Sequence, residues 1–481
     1  MQGSDIARAA RPVPIQEAID RIGFGRFQRR LLAVCGVTWA ADAAEIFLIA
    51  FALPSIKEDF GLSTFEGSLV VSSAFVGMLL GAWFWGTVAD RIGRRRGFAI
   101  TIGLFAFFGV LSAIAPNVWW LCAFRVLAGF GLGGAVPLDF SLFAEYLPTR
   151  NRGRRLVLLE SFWAVGTVAA AALAWLIVPT AGWRWLLATS ALAGALVFWV
   201  RLRIPESPRY LAAKGRVGEA EEILRMVARE NGVPATRVPQ IAPPADVRDR
   251  VEIARLFTGR MARTTVMLWS TWFFIALAYY GLFSWLPQIF ADRGLDVVRT
   301  YGYTLLLAAA QIPGYFSAAW LVERWGRKRT FVVYLVVSAV CTFVYGFAED
   351  ETLLLVAAVL MSFFALGAWA SLYAYTPELL PTDLRSTGMG AASGMARVAG
   401  VLAPILGGLL LPVSLGVTLS VYALAFAFAA LSVAVLGPET RDAALADTAA
   451  EESLIADGAA ADDDDRIRFT RDDDRRAASS T

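Results

Sequence analysis

Apolar residues in this chain come in runs of about twenty, the length a helix needs to cross about 30 Å of hydrocarbon. Twelve such runs are legible, near residues 30–54, 67–89, 97–115, 118–143, 155–178, 184–203, 263–290, 299–322, 329–347, 352–376, 386–411 and 415–437, and they are numbered here as spans 1 to 12. Their length predicts helices, because a strand of a membrane barrel needs only about ten residues of alternating polarity. The expectation is an all-α membrane protein with twelve transmembrane helices. Polar stretches between spans are short except over 204–262, where Glu219, Glu221 and Glu222 are interleaved with apolar residues at helical spacing and predict short surface helices. Residues 1–29 read as a basic tail without a cleavable signal pattern. Residues 438–481, rich in Ala and Asp with the run Asp462–Asp465, read as a solvated, disordered tail.

Composition agrees: 57% of residues are hydrophobic and 18% charged, too few polar groups to clothe a soluble protein of 481 residues. The net charge of +3 says less than its placement. Arg and Lys crowd Arg91–Arg96, Arg150–Arg155 and Arg324–Arg329, after spans 2, 4 and 8, whereas intervening loops carry acids such as Glu58, Asp59, Glu349, Asp350 and Glu351. The positive-inside rule then puts both termini in the cytoplasm, and short soluble parts fit a bacterial inner membrane. Hydrophobic spans bracket each basic cluster, which excludes a nucleic-acid surface. Cys35, Cys122 and Cys341 form no paired motif and read as small core residues. With no histidine, His catalysis and His metal sites are excluded, and any proton relay falls to carboxylates. No phosphate loop ending in Gly-Lys-Ser/Thr, no metal cluster and no nucleophile–base pair is visible, so neither an enzyme, an ATP-driven pump nor a cofactor is expected.

The halves repeat. Asp90-Arg91-x-Gly93-Arg94-Arg95 recurs as Glu323-Arg324-x-Gly326-Arg327-Lys328, and Glu145-x-Leu147-Pro148-Thr149-x-x-Arg152 as Glu378-x-Leu380-Pro381-Thr382-x-x-Arg385. Leu53-Pro54 and Gly61-Leu62 recur as Leu286-Pro287 and Gly294-Leu295. All four pairs stand 233 apart (323 − 90, 378 − 145, 287 − 54, 294 − 61). A duplicated six-span unit follows: bundles at 30–203 and 263–437, joined by the linker 204–262, able to rock about a site at their interface.

These motifs resemble the major facilitator superfamily. Gly86-x-x-x-Asp90-Arg91-x-Gly93-Arg94-Arg95 looks like its loop signature, and Arg125-x-x-x-Gly129-x-Gly131-x-Gly133 a second one. Pro205-Glu206-Ser207-Pro208-Arg209 and Pro438-Glu439-Thr440 resemble the sugar-porter and organic-ion branches. Ala41-Asp42-Ala43-Ala44-Glu45, Tyr279-Tyr280-Gly281-Leu282 and Tyr375-Thr376-Pro377-Glu378 are similar to the synaptic vesicle glycoprotein group and to bacterial nicotinate transporters. The resemblance implies two pseudo-symmetric six-helix bundles and a small organic solute, often aromatic and charged.

Charges inside spans are costly and mark function by default. Asp42 lies about 18 Å into span 1 and Glu45 a turn further, while Arg125 enters span 4 from the opposite side to about 10 Å, at 1.5 Å per residue. Glu45 and Arg125 are expected to meet. The partners of Asp42, Glu45 and Arg125 in the repeat are apolar, Ile275, Ala278 and Ala358, so these charges are specialised. A carboxylate that alternates between holding a proton and pairing with a cation couples transport to protons. Glu45 is the first candidate for that role, Arg125 its counter-ion and Asp42 the second; a static ion pair is the alternative. Asp139 and Glu160 are candidate relay residues. Proton-coupled sugar porters resemble this arrangement. Arg397, about 16 Å into span 11, suits a bound carboxylate, as organic-anion carriers resembling this sequence have a basic residue there. Trp163, Tyr279, Tyr280, Trp369 and Tyr373 fall on the central helices of the implied fold and can sandwich a flat solute, with Gln311 adding a hydrogen bond. Asp90, Arg91, Arg94, Glu145, Arg152, Glu323, Arg324, Arg327, Glu378 and Arg385 are read as gates, with Asp90 bonding Arg94 against the facing bundle. The expected function is proton-linked symport of an aromatic monocarboxylate such as nicotinate by a monomer in the bilayer. A sugar or organic-cation porter, or a non-transporting receptor on the same scaffold, is the alternative.

Overall fold

The computed structural model describes residues 12–195, 204–234, 238–242, 253–381 and 384–441. Eleven helices among them are long and apolar enough to cross a membrane. They include Arg26–Phe60 (span 1), Thr64–Ile92 (span 2), Arg94–Ala113 (span 3), Val118–Glu145 (span 4), Gly259–Asp292 (span 7) and Val297–Trp325 (span 8). Arg327–Phe347, Glu351–Tyr375, Arg385–Leu410 and Leu415–Leu436 are spans 9 to 12. Span 5 was expected as one helix over 155–178; it is helical over Arg152–Glu160 and Phe162–Ala181, articulated at Ser161. Span 6 opens as Trp183–Ala188, resumes over 190–195, and then leaves the described residues. Spans 2, 3 and 4 pack together, as do 8, 9 and 10, while spans 1 and 5 pair in one half and 7 and 11 in the other. The halves meet along spans 2 and 11, 5 and 8, and 1 and 7.

The repeat is written into backbone packing. A Cβ on Gly81 would lie 2.1 Å from the carbonyl oxygen of Phe130, and one on Gly314 2.1 Å from that of Phe363. Both glycine and neighbour are 233 apart (314 − 81, 363 − 130). Without a side chain, span 2 lies backbone to backbone on span 4, and span 8 likewise on span 10. In a bilayer, where apolar burial gives helices little reason to associate, such close approach is a main source of adhesion. The glycines of the Arg125 motif serve the same contact: a Cβ on Gly129 or Gly133 would meet the carbonyl oxygens of Ala74 and Met78 at 2.0 and 2.2 Å.

The N-terminal region expected as a tail is folded from Val13 onward. Helix α1 (Ile15–Ile22) buries Ala18, Ile19 and Ile22 on one face, the spacing of an amphipathic helix. Asp20 accepts hydrogen bonds from the backbone N–H (2.6 Å) and hydroxyl (2.9 Å) of Thr149, tying α1 to the loop after span 4. The linker supplies the expected short helices, α2 (Pro208–Ala213) and α3 (Val217–Glu230). Val13 pairs with Ile241 in an isolated parallel bridge, so the first residues and the linker close over the same end of the N-terminal bundle.

Candidate functional site

A cavity lies between the halves, with about 710 Å³ of atom-free space including what opens to solvent. Its walls are largely aromatic because spans 1, 2, 5, 7, 8 and 10 each turn a ring inward, while span 11 contributes Ser393, Ala396 and Arg397. Six predicted binding residues, Trp163, Tyr279, Tyr280, Trp369, Tyr373 and Arg397, line it. The seventh, Gln311, stands one layer behind and accepts a hydrogen bond from the Tyr279 hydroxyl at 3.2 Å; that hydroxyl in turn accepts one from Trp163 Nε1 at 3.2 Å. Ring edges and faces interlock, Trp272 with Tyr373 at 5.1 Å between centroids, Phe75 with Tyr280 at 4.8 Å and Trp39 with Trp163 at 5.6 Å. Trp39, Phe75, Met78, Trp272, Tyr315, Leu366, Ser393 and Ala396 complete the lining and were not singled out from the sequence. Among 16 Trp and 32 Phe, nothing local distinguishes a cavity ring from a lipid-facing one.

Polar groups on this wall are few and incompletely satisfied. Arg397 Nη1 donates to the Ser393 carbonyl of its own helix at 3.3 Å, while its Nε has no partner. Trp369 Nε1 is buried without an acceptor, and Glu160 Oε1 without a donor. Unpaired buried donors are expensive and point to a guest that supplies acceptors.

Behind the cavity, Glu45 and Arg125 meet, as their depths predicted. Arg125 Nη1 donates to Glu45 Oε1 at 2.6 Å and Nη2 to the Glu45 carbonyl at 3.0 Å; both residues are fully buried. The other carboxylate oxygen accepts from Ser190 of span 6 at 2.6 Å, a partner the sequence offered no reason to select. Gly109 of span 3 makes room, since a Cβ there would sit 2.6 Å from Ser190 and 2.8 Å from Glu45. Asp42 and Asp139 are also fully buried, and among the described residues no cation pairs with them, the weak Cys35 thiol being the donor beside Asp139.

Among the described residues, ion pairs of the charged loops lie within each bundle. Arg94 pairs with Glu145 (3.6 Å), and Arg327 with Glu378 (3.0 Å) and Glu323 (3.4 Å). Glu145 was expected beside Arg152; Arg152 instead donates to the Leu147 carbonyl (2.9 Å) and to Gln16 of α1 (2.5 Å). Arg385 Nε donates to the carbonyls of Pro377 and Leu380. The carbonyls of Arg91 and Arg324 accept from Tyr210 and Arg441, at 3.0 and 2.7 Å. The Asp90 side chain lies outside the described residues. One further pair is also 233 apart (439 − 206) and was not among the repeated motifs: Glu206 accepts from the backbone N–H of Arg95, and Glu439 from that of Arg327, at 3.0 and 2.8 Å. Each glutamate caps the first turn of a membrane helix, where free N–H groups and the helix dipole favour an anion. The preceding glycines, Gly93 (φ 102°) and Gly326 (φ 98°), adopt a backbone that side chains avoid.

Hydrogen bonds join the halves on the side that carries the acidic loops. The Tyr301 hydroxyl donates to the Phe51 carbonyl at 2.8 Å and the Ser72 hydroxyl to the Val401 carbonyl at 2.9 Å. Nearer the basic loops, the Tyr315 hydroxyl donates to the Val157 carbonyl.

Two like helical bundles enclosing a solute-sized cavity, with charges buried beside it, define a membrane transporter of the major facilitator superfamily, not an enzyme. The family model described as "Sugar (and other) transporter" matches residues 2–450, and the chain belongs to that family. It is 41% identical over 387 residues to the niacin transporter NiaP of Acinetobacter baylyi, covering 80% of this chain and 88% of that protein. It is 33% identical over 462 residues to the synaptic vesicle 2-related protein of Rattus norvegicus, covering 91% and 83%. The fold is similar to the xylose transporter XylE from E. coli in a partially occluded inward open conformation, with TM-score 0.73 at 20% identity over 86% of this chain and 98% of that one.

Proposed function

We propose that this transporter carries an aromatic monocarboxylate, with nicotinate the best fit, by proton-coupled symport and alternating access. The observation that supports this most is a cavity walled by indole and phenol rings whose one guanidinium, Arg397, keeps a donor free. A flat ring slots between the aromatic faces, its carboxylate takes the open Arg397 donors, and Trp369 Nε1 offers a donor to a ring nitrogen. The niacin-transporting relative supports the same solute. Sugar is disfavoured because no Asn or Gln is among the described residues lining the cavity, and amides are the usual partners of sugar hydroxyls. Glu160 on the same wall favours an organic cation or zwitterion as the second reading.

In this proposal Glu45 is the proton carrier and Arg125 its counter-ion. The bodies 30–203 and 263–437 rock about the cavity in a bacterial inner membrane, as a monomer with both termini cytoplasmic, so that the acidic-loop face is external and the arginine-rich loops are internal. The test is uptake of labelled nicotinate into liposomes containing the purified protein, with an inward proton gradient imposed or collapsed. Accumulation that requires the gradient and is lost in both Glu45→Gln and Arg397→Ala supports the reading. Uptake indifferent to the gradient leaves a facilitator and removes the role of Glu45. Absence of uptake or competition by any aromatic acid transfers the assignment to cations or sugars.

A further inference from the structure

We propose that Asp42 and Asp139 form a second proton-holding pair, the step by which protons pass between the cavity wall and Glu45. The inference rests on the proton-coupled reading above and deepens it. Asp42 of span 1 and Asp139 of span 4 are both 0% exposed, and among the described residues no cation pairs with them, the weak Cys35 thiol being the donor beside Asp139. Their helices touch at this level: Trp39, one turn before Asp42, packs edge-on against Phe140, the residue after Asp139, at 5.0 Å. Two carboxylates buried between the same two helices without a cation are costly to ionise together, which suits them to hold protons in transit.

Arg125 is committed to Glu45 by two hydrogen bonds and does not serve them. The groups facing the pair are Glu45, one turn along span 1, the Cys35 thiol beside Asp139, and Glu160 of span 5. Glu160 lines the cavity beside Trp39 and Tyr373, and Tyr373 in turn faces Tyr280 and Arg397. Four acids thus run in sequence from the cavity to the buried ion pair: Glu160, Asp139, Asp42, Glu45. In each step a carboxylic acid gives its O–H proton to the next carboxylate, after a side-chain rotation or through a bridging water that takes one proton and passes on another, and becomes the next acceptor. One proton enters at Glu160 and one arrives at Glu45, where it neutralises the carboxylate that holds Arg125. The ion pair alone gives no route for a proton, since neither Glu45 nor Arg125 lines the cavity.

The test uses full-length protein in liposomes with two readouts, proton-driven accumulation of labelled nicotinate and its exchange at equal concentrations with no gradient. Asp139→Asn is expected to abolish accumulation while exchange persists, and Asp139→Glu to restore accumulation. Unimpaired accumulation by Asp139→Asn overturns the proposal. So does loss of both readouts in the Asn and Glu variants alike, which marks Asp139 as packing only. A sodium gradient that drives uptake where a proton gradient does not assigns the pair to a metal cation and also overturns it. If wild-type protein exchanges nicotinate but no gradient drives accumulation, proton coupling itself has failed, a result separable from failure of Asp139 alone.

Discussion

Removal of the Arg397 guanidinium provides the sharpest test of the cavity's chemistry, because it predicts a change in preference as well as a loss. The side chain spends one Nη donor on the Ser393 carbonyl of its own helix and keeps Nε unpaired. Hydrogen bonds to a charged partner contribute about 1.5–3 kcal/mol, against about 0.5–1.5 for neutral ones. At about 1.4 kcal/mol per factor of ten, Arg397→Ala should weaken nicotinate binding by about 10- to 150-fold. Nicotinamide has the same ring and accepts from the same guanidinium but forgoes the ion pairing, so its loss should lie at the low end of that range, about 10-fold. The selectivity of wild type for the acid should therefore shrink. Arg397→Lys should fall between, since an ammonium keeps the charge but not the planar fork. Calorimetric titration of detergent-purified protein with both ligands measures this directly. Equal losses for acid and amide would mean that Arg397 only shapes the cavity, and unchanged nicotinate affinity would refute the anion-site argument.

Three further outcomes follow from the packing. Removing Arg125 alone (Arg125→Leu) or Glu45 alone (Glu45→Leu) should cost about 3–5 kcal/mol by stranding a buried polar partner, and the double substitution should recover most of it; thermal unfolding followed by gel filtration reads the cycle, and additive losses would contradict a buried pair. Gly81→Ala and Gly314→Ala should each push a membrane helix off its neighbour and cost about 1–3 kcal/mol, whereas Gly86→Ala, with nothing near its missing Cβ, should be neutral or stabilising; equal behaviour of all three would refute the contact. Burial works to raise the Asp20 carboxyl, but its hydrogen bonds from Thr149 outweigh that and hold it below the ordinary value. Its contribution to docking α1 is then present above about pH 4 and fades as pH falls further, so Asp20→Asn at neutral pH and acidification of wild type should both lower the amide-exchange protection factors over Ile15–Ile22, each taken against the intrinsic rate at its own pH.

Run length made the twelve spans legible because a bilayer demands the same thing of every helix, and eleven of them stand among the described residues as helices long enough to cross. Depth was legible for a related reason. A rise of 1.5 Å per residue puts Glu45 and Arg125 at one level from their positions in the chain alone. What escaped was lateral. Ser190 is one hydroxyl in an apolar segment, and only the packing of span 6 against span 1 makes it a partner of Glu45. Arg152 carries the same charge whether it meets Glu145 or Gln16; the choice is set by α1, whose docking residues lie more than a hundred positions away. Glu206 and Glu439 were legible as a repeat, but their role depends on helix ends and two glycines with positive φ, which sequence shows only once the boundaries are known.

The two halves share a backbone plan and divide the chemistry. At the positions equivalent to Asp42, Glu45 and Arg125, the C-terminal half has Ile275, Ala278 and Ala358, all 0% exposed, so the same sites are core there. Conversely, Arg397 has Ala164 as its equivalent in the N-terminal half, also buried. On the proposed reading, protons are handled almost wholly by the first bundle, while the second contributes the anion site and most of the rings. Coupling must then cross the interface where the two sets touch. The contacts there include the Trp163–Tyr279 hydrogen bond, the stacking of Phe140 on Tyr373 and the wall on which Glu160 faces Tyr373. A solute that seats on Arg397 and Tyr373 changes what Glu160 faces, and a proton on Glu160 changes what that solute meets. The two ligands thereby acquire different affinities in the two orientations of the bundles, which is the thermodynamic requirement for one gradient to drive the other.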